Sequence, residues 1–226
     1  MSVTYHTDLI QGSEEWLQQR CGLLTASEMK LILTPTLKIA SNEKQRAHMW
    51  ELLAQRITGY VEPRYISDDM LRGRDDEIEA RMLYSKHYAP VTEVGFVTSD
   101  DLGFTLGYSP DGLVGDDGLI ECKSRRQRFQ IETFVTGEVP EEYVLQLQTG
   151  LLVTGRKWID FVSYSGGLPM FVKRVFPDPI VQEAIVAAAD NFESAIMSAH
   201  AKFVAATIPD AGLIATERRV EMEMFL

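Results

Sequence analysis

Apolar residues recur at helical spacing through residues 42–58, with Asn42 as a cap and Gly59 as a stop, so the pattern predicts a helix there. The same logic predicts a short helix after Gly12-Ser13 that ends near Arg20, and another that starts near Thr25. At the second, Thr25 is followed three residues later by Glu28, the capping-box spacing. From Ser67 to about Tyr88 the chain predicts a long helix with an acidic start, which suits the positive end of the helix dipole. After Pro90, "VTEVGFVT", "GFTLGYS" and "GLIECK" alternate as strands between the turns "SDDLG" and "GDDG". Residues 140–153 predict a helix opened by Pro140 and stopped by Gly155. A hairpin around Ser165-Gly166-Gly167 and an amphipathic helix over about 178–206 follow, then an acidic tail over about 207–226. The order predicts a mixed α/β core in which sheet topology is open. With no repeat, low-complexity stretch or Pro/Gly/Ser linker, one domain over residues 1–226 is expected.

Composition narrows the class. The chain is 45% hydrophobic and 24% charged, the balance of an ordinary globular protein. "MSVTYHTDLIQG" has an early Asp and no apolar h-region, so no signal peptide is expected, and no apolar run approaches a membrane span. With Cys21 and Cys122 the only cysteines, the expectation is a reducing cytoplasm and no disulfide framework. A formal net charge of −11 argues against nucleic acid, since phosphate binding is driven by clustered Lys and Arg. Net charge does not set the field in a cleft, however, and "KSRRQR" at 123–128 holds four basic residues and no acid.

That basic run begins inside the segment with the most chemistry. Asp111 follows a proline at the start of one short strand, and Glu121 lies on the next, across "GDDG". Antiparallel neighbours lie about 4.8 Å apart, so the two carboxylates can converge on one point and attract a hard cation such as Mg²⁺. Alternation turns Glu121 and Lys123 to one face and Cys122 into the core, leaving the Cys122 carbonyl available to the same ion. Lys123 beside that ion suits phosphodiester hydrolysis. By spacing alone, a solvated strand–turn–strand surface stands slightly ahead of a metal site.

Five segments in order change that balance. "SPDG" followed by "ECK" resembles the PD-(D/E)xK nuclease motif. "RGRDDEIEAR" before it, "YVLQLQ" after it and the opening "EEWLQQRCGLLTASE" resemble the lambda-type phage exonucleases, also called YqaJ-like recombinases, over residues 14 to 148. The resemblance implies a restriction-endonuclease-like fold, a central mixed sheet flanked by helices. It also implies a Mg²⁺-dependent exodeoxyribonuclease, with Mn²⁺ as a substitute, that degrades one strand of duplex DNA from its 5′ end. The family is phage- or prophage-encoded, works beside a single-strand annealing protein and forms a ring, typically a homotrimer.

Residue by residue, the resemblance makes Asp111, Glu121 and the Cys122 carbonyl metal ligands, with Glu77 as an upstream acid holding the metal or its water. Lys123 becomes the catalytic lysine, and Gln146 orients the water or the lysine. Arg20, Ser27 and Ser109 form a pocket for the terminal 5′-phosphate, while Arg125, Arg126 and Arg128 line the DNA channel. Ser124-Arg125-Arg126 departs from the apolar continuation expected after the motif lysine, and Met70 or Leu71 match the family's strand-separating wedge poorly. Two other readings remain: a site- or structure-specific endonuclease, and a non-catalytic DNA-end adaptor.

Other signals fail. "GLLVTGRK" imitates a P-loop but has Arg156 and Trp158 where Lys and Ser/Thr belong. His6, His48, His87 and His200 lack zinc-ligand spacing, two cysteines cannot hold a four-cysteine cluster, and no Gly-x-Ser-x-Gly elbow is present.

Overall fold

The computed structural model describes residues 2–63, 67–208 and 212–218. Strand β1 (Val3–His6) leads into helix α1 (Glu14–Arg20), whose cap is Ser13, with its side chain accepting from the Trp16 N–H. Strand β2 (Leu24–Thr25) passes into a 3-10 turn (Ala26–Glu28) and the single turn of α2 (Met29–Ile32). Thr25 and Glu28 form the capping box that their spacing predicts. Helix α3 (Glu43–Thr58) starts at Asn42 and stops at Gly59, which takes the left-handed φ of 63° that favours glycine. The acidic-start helix is α4 (Asp68–His87).

Strands β3 (Phe96–Ser99), β4 (Leu106–Tyr108), β5 (Gly112–Val114) and β6 (Gly118–Ser124) follow. Helices α5 (Gln127–Thr136) and α6 (Glu141–Thr154) then lead to the hairpin β7 (Trp158–Tyr164) and β8 (Phe171–Val175), and to α7 (Pro179–Ala206). The acidic tail falls largely outside the described residues.

The strands divide into two four-stranded mixed sheets, ordered β1-β3-β4-β2 and β5-β6-β7-β8. β4 and β5 are successive in the chain but belong to different sheets, and the crossing falls at Ser109-Pro110-Asp111. Pro110 has no N–H and cannot continue a ladder, so the chain changes sheet there. β6 and β7 pair in parallel, which needs a long crossover, supplied by α5 and α6.

Alternation on β6 and β7 builds two cores. Leu119, Ile159 and Phe161 join the larger one with residues of α2, α3, α6 and α7, while Ile120, Cys122 and Val162 meet Ala80 and Tyr84 of α4 on the other face. Helix α6 packs against β3, β4, β7 and α7, and Leu145, Leu147, Gln148, Thr149, Gly150, Leu151 and Val153 are all buried. It is therefore a central helix rather than an amphipathic surface one. Gln148 is satisfied inside: its Nε2 donates to the Phe176 carbonyl and its Oε1 accepts from the Asp178 N–H, both at 2.8 Å.

Among the described residues, no helix is long and apolar enough to cross a membrane. Leu147 is 0% exposed and Val135 82%, so the two sites should respond oppositely to truncation. Leu147→Ala is expected to lower unfolding free energy by about 2–5 kcal/mol, and Val135→Ala to stay within about 0.5 kcal/mol, read from urea midpoints at constant m.

Candidate active site

Gly112 of β5 lies opposite Ile120 of β6, and there the ladder ends. The next N–H on that edge of β6, at Cys122, needs another partner. Asp111 supplies it, with Oδ2 accepting at 2.6 Å. A strand residue turns its N–H and C=O to the same edge, so the Cys122 carbonyl faces the same gap. Burial, then the nearby Glu121 charge, push the Asp111 carboxyl well above the usual range, against the opposing effects of Lys123 and of the hydrogen bond from Cys122.

Glu121 is 1% exposed, and three elements hold it. Its Oε2 accepts from the Tyr108 hydroxyl of β4 at 2.6 Å. Its Oε1 accepts from Gln146 Nε2 of α6 at 2.5 Å and meets Lys123 Nζ of β6 at 2.7 Å. Burial, then the charge of Glu121, hold the Tyr108 hydroxyl protonated well above its ordinary value. Burial alone would lower the Lys123 pKa, but Glu121, Asp111 and Glu77 together outweigh it and raise it. Lys123 is thus an ammonium donor while those carboxylates are charged. Cys122 points into the smaller core, and burial raises its thiol well above normal, so its carbonyl rather than its sulfur is the group offered to the site.

Glu77 approaches from α4. Burial raises its carboxyl, Lys123 opposes this, and Glu121 and Asp76 add to it. The helix is tied to the sheet on either side of Glu77: Ser124 Oγ donates to Asp76, and Tyr84 OH donates to Asp160 at 2.6 Å. Arg174 grips the same Asp160 at 2.8 and 2.9 Å.

Two carboxylates and a carbonyl form an all-oxygen donor set that suits Mg²⁺, which keeps several waters and needs only one or two carboxylates. The carboxyls of Asp111 and Glu77 are raised first by burial and then by neighbouring acids, and a bound divalent cation would relieve both effects. Among the described residues, no three His, Cys, Asp or Glu side chains assemble as a ready ligand group. Glu77 stands on α4 beside the pair, close enough for the charges of Lys123 and Glu121 to act on its carboxyl.

A second cluster adjoins the first. Ser109 Oγ accepts from Trp16 Nε1 at 3.0 Å and from Arg20 NH1 at 3.1 Å. Both its lone pairs are used, which leaves its O–H to donate outward. Arg20 NH2 donates to Thr25 Oγ1 at 3.2 Å, and Thr25 donates on to Glu28 at 2.8 Å. Ser27 Oγ lies 3.4 Å from Thr25 Oγ1 and is exposed. The Arg20 guanidinium also stacks 4.3 Å from the Trp16 ring centre. Arg20, Ser27 and Ser109 thus converge as a donor-rich cluster suited to an anion. The helix dipole adds little, because the helix expected at Thr25 is a 3-10 turn followed by four α-helical residues.

Residues 15–157 match the model of the YqaJ-like viral recombinase domain. The chain belongs to the YqaJ-like viral recombinase family. Among solved structures, this family member is similar to an alkaline exonuclease (LHK-Exo) from Laribacter hongkongensis, at 35% identity and a TM-score of 0.71, over 85% of this chain and 99% of that one. The same exonuclease in complex with dAMP matches at 36% identity with the same TM-score and coverage. A phage related exonuclease from Haemophilus somnus shares the fold at 14% identity and a TM-score of 0.50, over 78% of this chain and 96% of that one. No curated protein matches the chain.

In this YqaJ-like chain one member of the basic run after Lys123 departs from the expected channel lining. Arg125 is buried, ion-paired with Glu142 at 2.5 Å, donating to Tyr143 OH at 2.9 Å and stacked near Phe129. It is corrected to a residue of the fold's interior, because its guanidinium bridges the start of α5 to α6. Arg126 and Arg128 are exposed at the start of α5, and Arg128 stacks 4.3 Å from the Phe129 ring centre. Met70 and Leu71 are exposed in the first turn of α4. The P-loop imitation is a helix stop: Gly155 takes φ 65°, and Arg156 donates to the carbonyls of Gly115 and Gly118.

Tyr108, Trp16 and Thr25 join the two clusters, although the sequence marked Thr25 only as a helix cap and the other two not at all. Trp16 and Thr25 lie inside the quoted segment "EEWLQQRCGLLTASE" and Tyr108 directly precedes "SPDG", which is the signal that could have found them.

Because Asp111 is held above its unfolded pKa, folding binds a proton there, and stability of the cation-free protein falls as pH rises through that raised value. Asp111→Asn removes that cost while keeping an oxygen for the Cys122 N–H. Its unfolding midpoint in EDTA at neutral pH is expected to rise by about 2–4 °C, the shift that about 1 kcal/mol makes in a domain of this size.

Proposed function

We propose that this protein is a metal-dependent exodeoxyribonuclease that removes nucleotides from the 5′ end of one strand of linear duplex DNA. One observation carries the reading: the tetrapeptide Tyr108–Asp111 belongs to both clusters, with Ser109 in the anion pocket and Asp111 at the acids two residues on. Two residues span at most about 7 Å of extended chain. A terminal phosphate seated on Arg20, Ser27 and Ser109 therefore leaves the next phosphodiester along the strand beside Asp111, Glu121 and Lys123. Similarity to an enzyme described as an alkaline exonuclease, one structure of which holds dAMP, supports nucleotide release from an end.

Asp111, Glu121 and the Cys122 carbonyl would hold Mg²⁺ or Mn²⁺ at this site. When bound, such an ion polarises the phosphate and acidifies water. The chain's own groups do the rest. Gln146 and Tyr108 fix the Glu121 carboxylate, so its orientation needs no rearrangement during reaction. The Lys123 ammonium, 2.7 Å from Glu121, is a preorganised donor for the negative charge that develops as water adds to phosphorus. The bond from phosphorus to the 3′-oxygen of the terminal nucleotide breaks. The shortened strand then carries a new 5′-phosphate, the same group that the pocket accepts. Repetition leaves a 3′ single-stranded overhang, the substrate of a single-strand annealing protein in phage-type recombination. A homotrimeric ring around the duplex would let a chain with a net charge of −11 present only its channel side to DNA.

Digestion of end-labelled linear duplex tests the reading. Mononucleotides are expected from 5′ ends with Mg²⁺ and none with EDTA, and efficient cutting of closed circles would instead make the protein an endonuclease. Lys123→Ala is expected to lower turnover by about 10²-fold or more while DNA-end binding persists. Arg20→Ala is expected to abolish the preference for 5′-phosphate over 5′-hydroxyl ends in the same assay, and a surviving preference removes the pocket from the mechanism.

A further inference from the structure

Tyr108 ends β4 in the first sheet, whereas Glu121 lies on β6 in the second. The tyrosine is 1% exposed, and its hydroxyl spans the junction to Glu121 Oε2 at 2.6 Å. The ring is wedged against α6 at Gly150, where an added Cβ would lie 2.7 Å from the ring's Cζ. Gln146 and Lys123 both engage the other oxygen, Oε1. Those two donors sit on the side of the carboxylate that faces the site, where a cation or substrate competes with them. Tyr108 holds the other oxygen, Oε2, from a buried ring packed so closely on Gly150 that the helix has no space for a side chain there.

We propose that Tyr108 is a positioning residue that locks Glu121 with Oε2 inward, so that Oε1 is presented to the divalent cation and to Lys123. The proposal rests on the nuclease reading of Asp111 and Glu121. Without the phenol, Oε2 is a buried carboxylate oxygen with no donor, and the carboxylate must turn or draw in water to satisfy it. Either change weakens the ligand without removing it. Groups that orient a ligand in this way typically contribute about 10- to 100-fold in metal affinity or activity.

The experiment uses the full chain and Mn²⁺ as probe. Tyr108→Phe keeps the ring and removes the hydroxyl. The Mn²⁺ dissociation constant of the DNA-free protein, read by electron paramagnetic resonance of free Mn²⁺, is expected to rise about 10-fold or more. The Mg²⁺ concentration for half-maximal nucleotide release should rise in parallel, with turnover largely recovered at saturating Mg²⁺. The unfolding midpoint in EDTA should fall by a few degrees, because the buried Oε2 loses its donor, so Mn²⁺ affinity is read at a temperature where circular dichroism shows the variant folded. Gly150→Ala retains the hydroxyl but must displace the ring, so it should shift both readings in the same direction, and it carries the test if the phenylalanine variant does not fold. Unchanged Mn²⁺ affinity and unchanged Mg²⁺ dependence in these variants, beside normal wild-type binding, would overturn the role of Tyr108 alone. A wild-type protein that binds no Mn²⁺ and releases no nucleotide would overturn the nuclease reading, and this role with it.

Discussion

A carboxylate buried as completely as Glu121 survives only if every lone pair that has lost water finds a donor. Here the donors are a phenol from β4, an amide from α6 and an ammonium from β6 itself. Each comes from a different element, so satisfying one carboxylate fixes the distance between the first sheet, the central helix and the second sheet. Removing any single partner leaves a buried charge underpaired, which is costlier than the net value of the bond itself. The interaction is therefore as much a constraint on the fold as a feature of the site. The same constraint explains why α6 is buried nearly all round: a helix that must reach Glu121 lies between the sheets, not on them.

The junction between the sheets follows from the same geometry. Pro110 interrupts the ladder, and the residues around it turn to other partners. Tyr108 turns to Glu121, Ser109 to Arg20 and Trp16, and Asp111 to the Cys122 N–H. Gln11 closes the loop from outside by donating to the Pro110 carbonyl at 2.8 Å. Four consecutive residues thus tie an anion pocket to an acid cluster with no flexible linker between them. A displacement of this segment by an ångström would disturb both clusters together, which is the mechanical requirement for cutting at a fixed distance from a chain end.

Helix boundaries were legible where capping chemistry is local. Ser13, Asn42, Asp178 and the glycines at 59 and 155 mark starts and stops that the structure reproduces within a residue. Helix α5 was not foreseen, and its N-cap Arg126 makes no side-chain capping bond. Its inward face includes Gln130, which is fully buried because it bonds Ser163 and the Pro169 carbonyl across the chain. In sequence, such a residue reads as solvated. The short strands β1 and β2 are defined by their partners β3 and β4, again a tertiary cause. At the site, alternation put Glu121 and Lys123 on one face, but it took the order of five motif segments to favour Asp111, Glu121 and Lys123 as a site over a solvated surface. The resemblance placed Gln146 at the site, but its bond to Glu121 and that of Tyr108 form only once two sheets and a helix are packed. Arg125 shows the converse error: a basic run looks like a nucleic-acid surface until packing turns one member inward against Glu142 and Tyr143.

That inward turn bears on how an acidic chain can engage DNA on the proposed reading. Several cations are spent inside the protomer: Arg56 on Glu193, Arg174 on Asp160, Arg125 on Glu142 and Lys173 on Glu138. Long-range attraction to a duplex is correspondingly weak, and non-specific binding along its length gains little. The donors of the phosphate pocket act differently. Ser109 O–H and the guanidinium of Arg20 are fixed at short range by Trp16 and Thr25, in a partly buried setting that salt screens poorly. Such a pocket distinguishes a terminal phosphate, which can enter it, from internal phosphates held in the duplex. On the proposed reading, a low global attraction combined with a strong local one would favour ends over interior sites, and the acidic surface would then be part of how an end is selected.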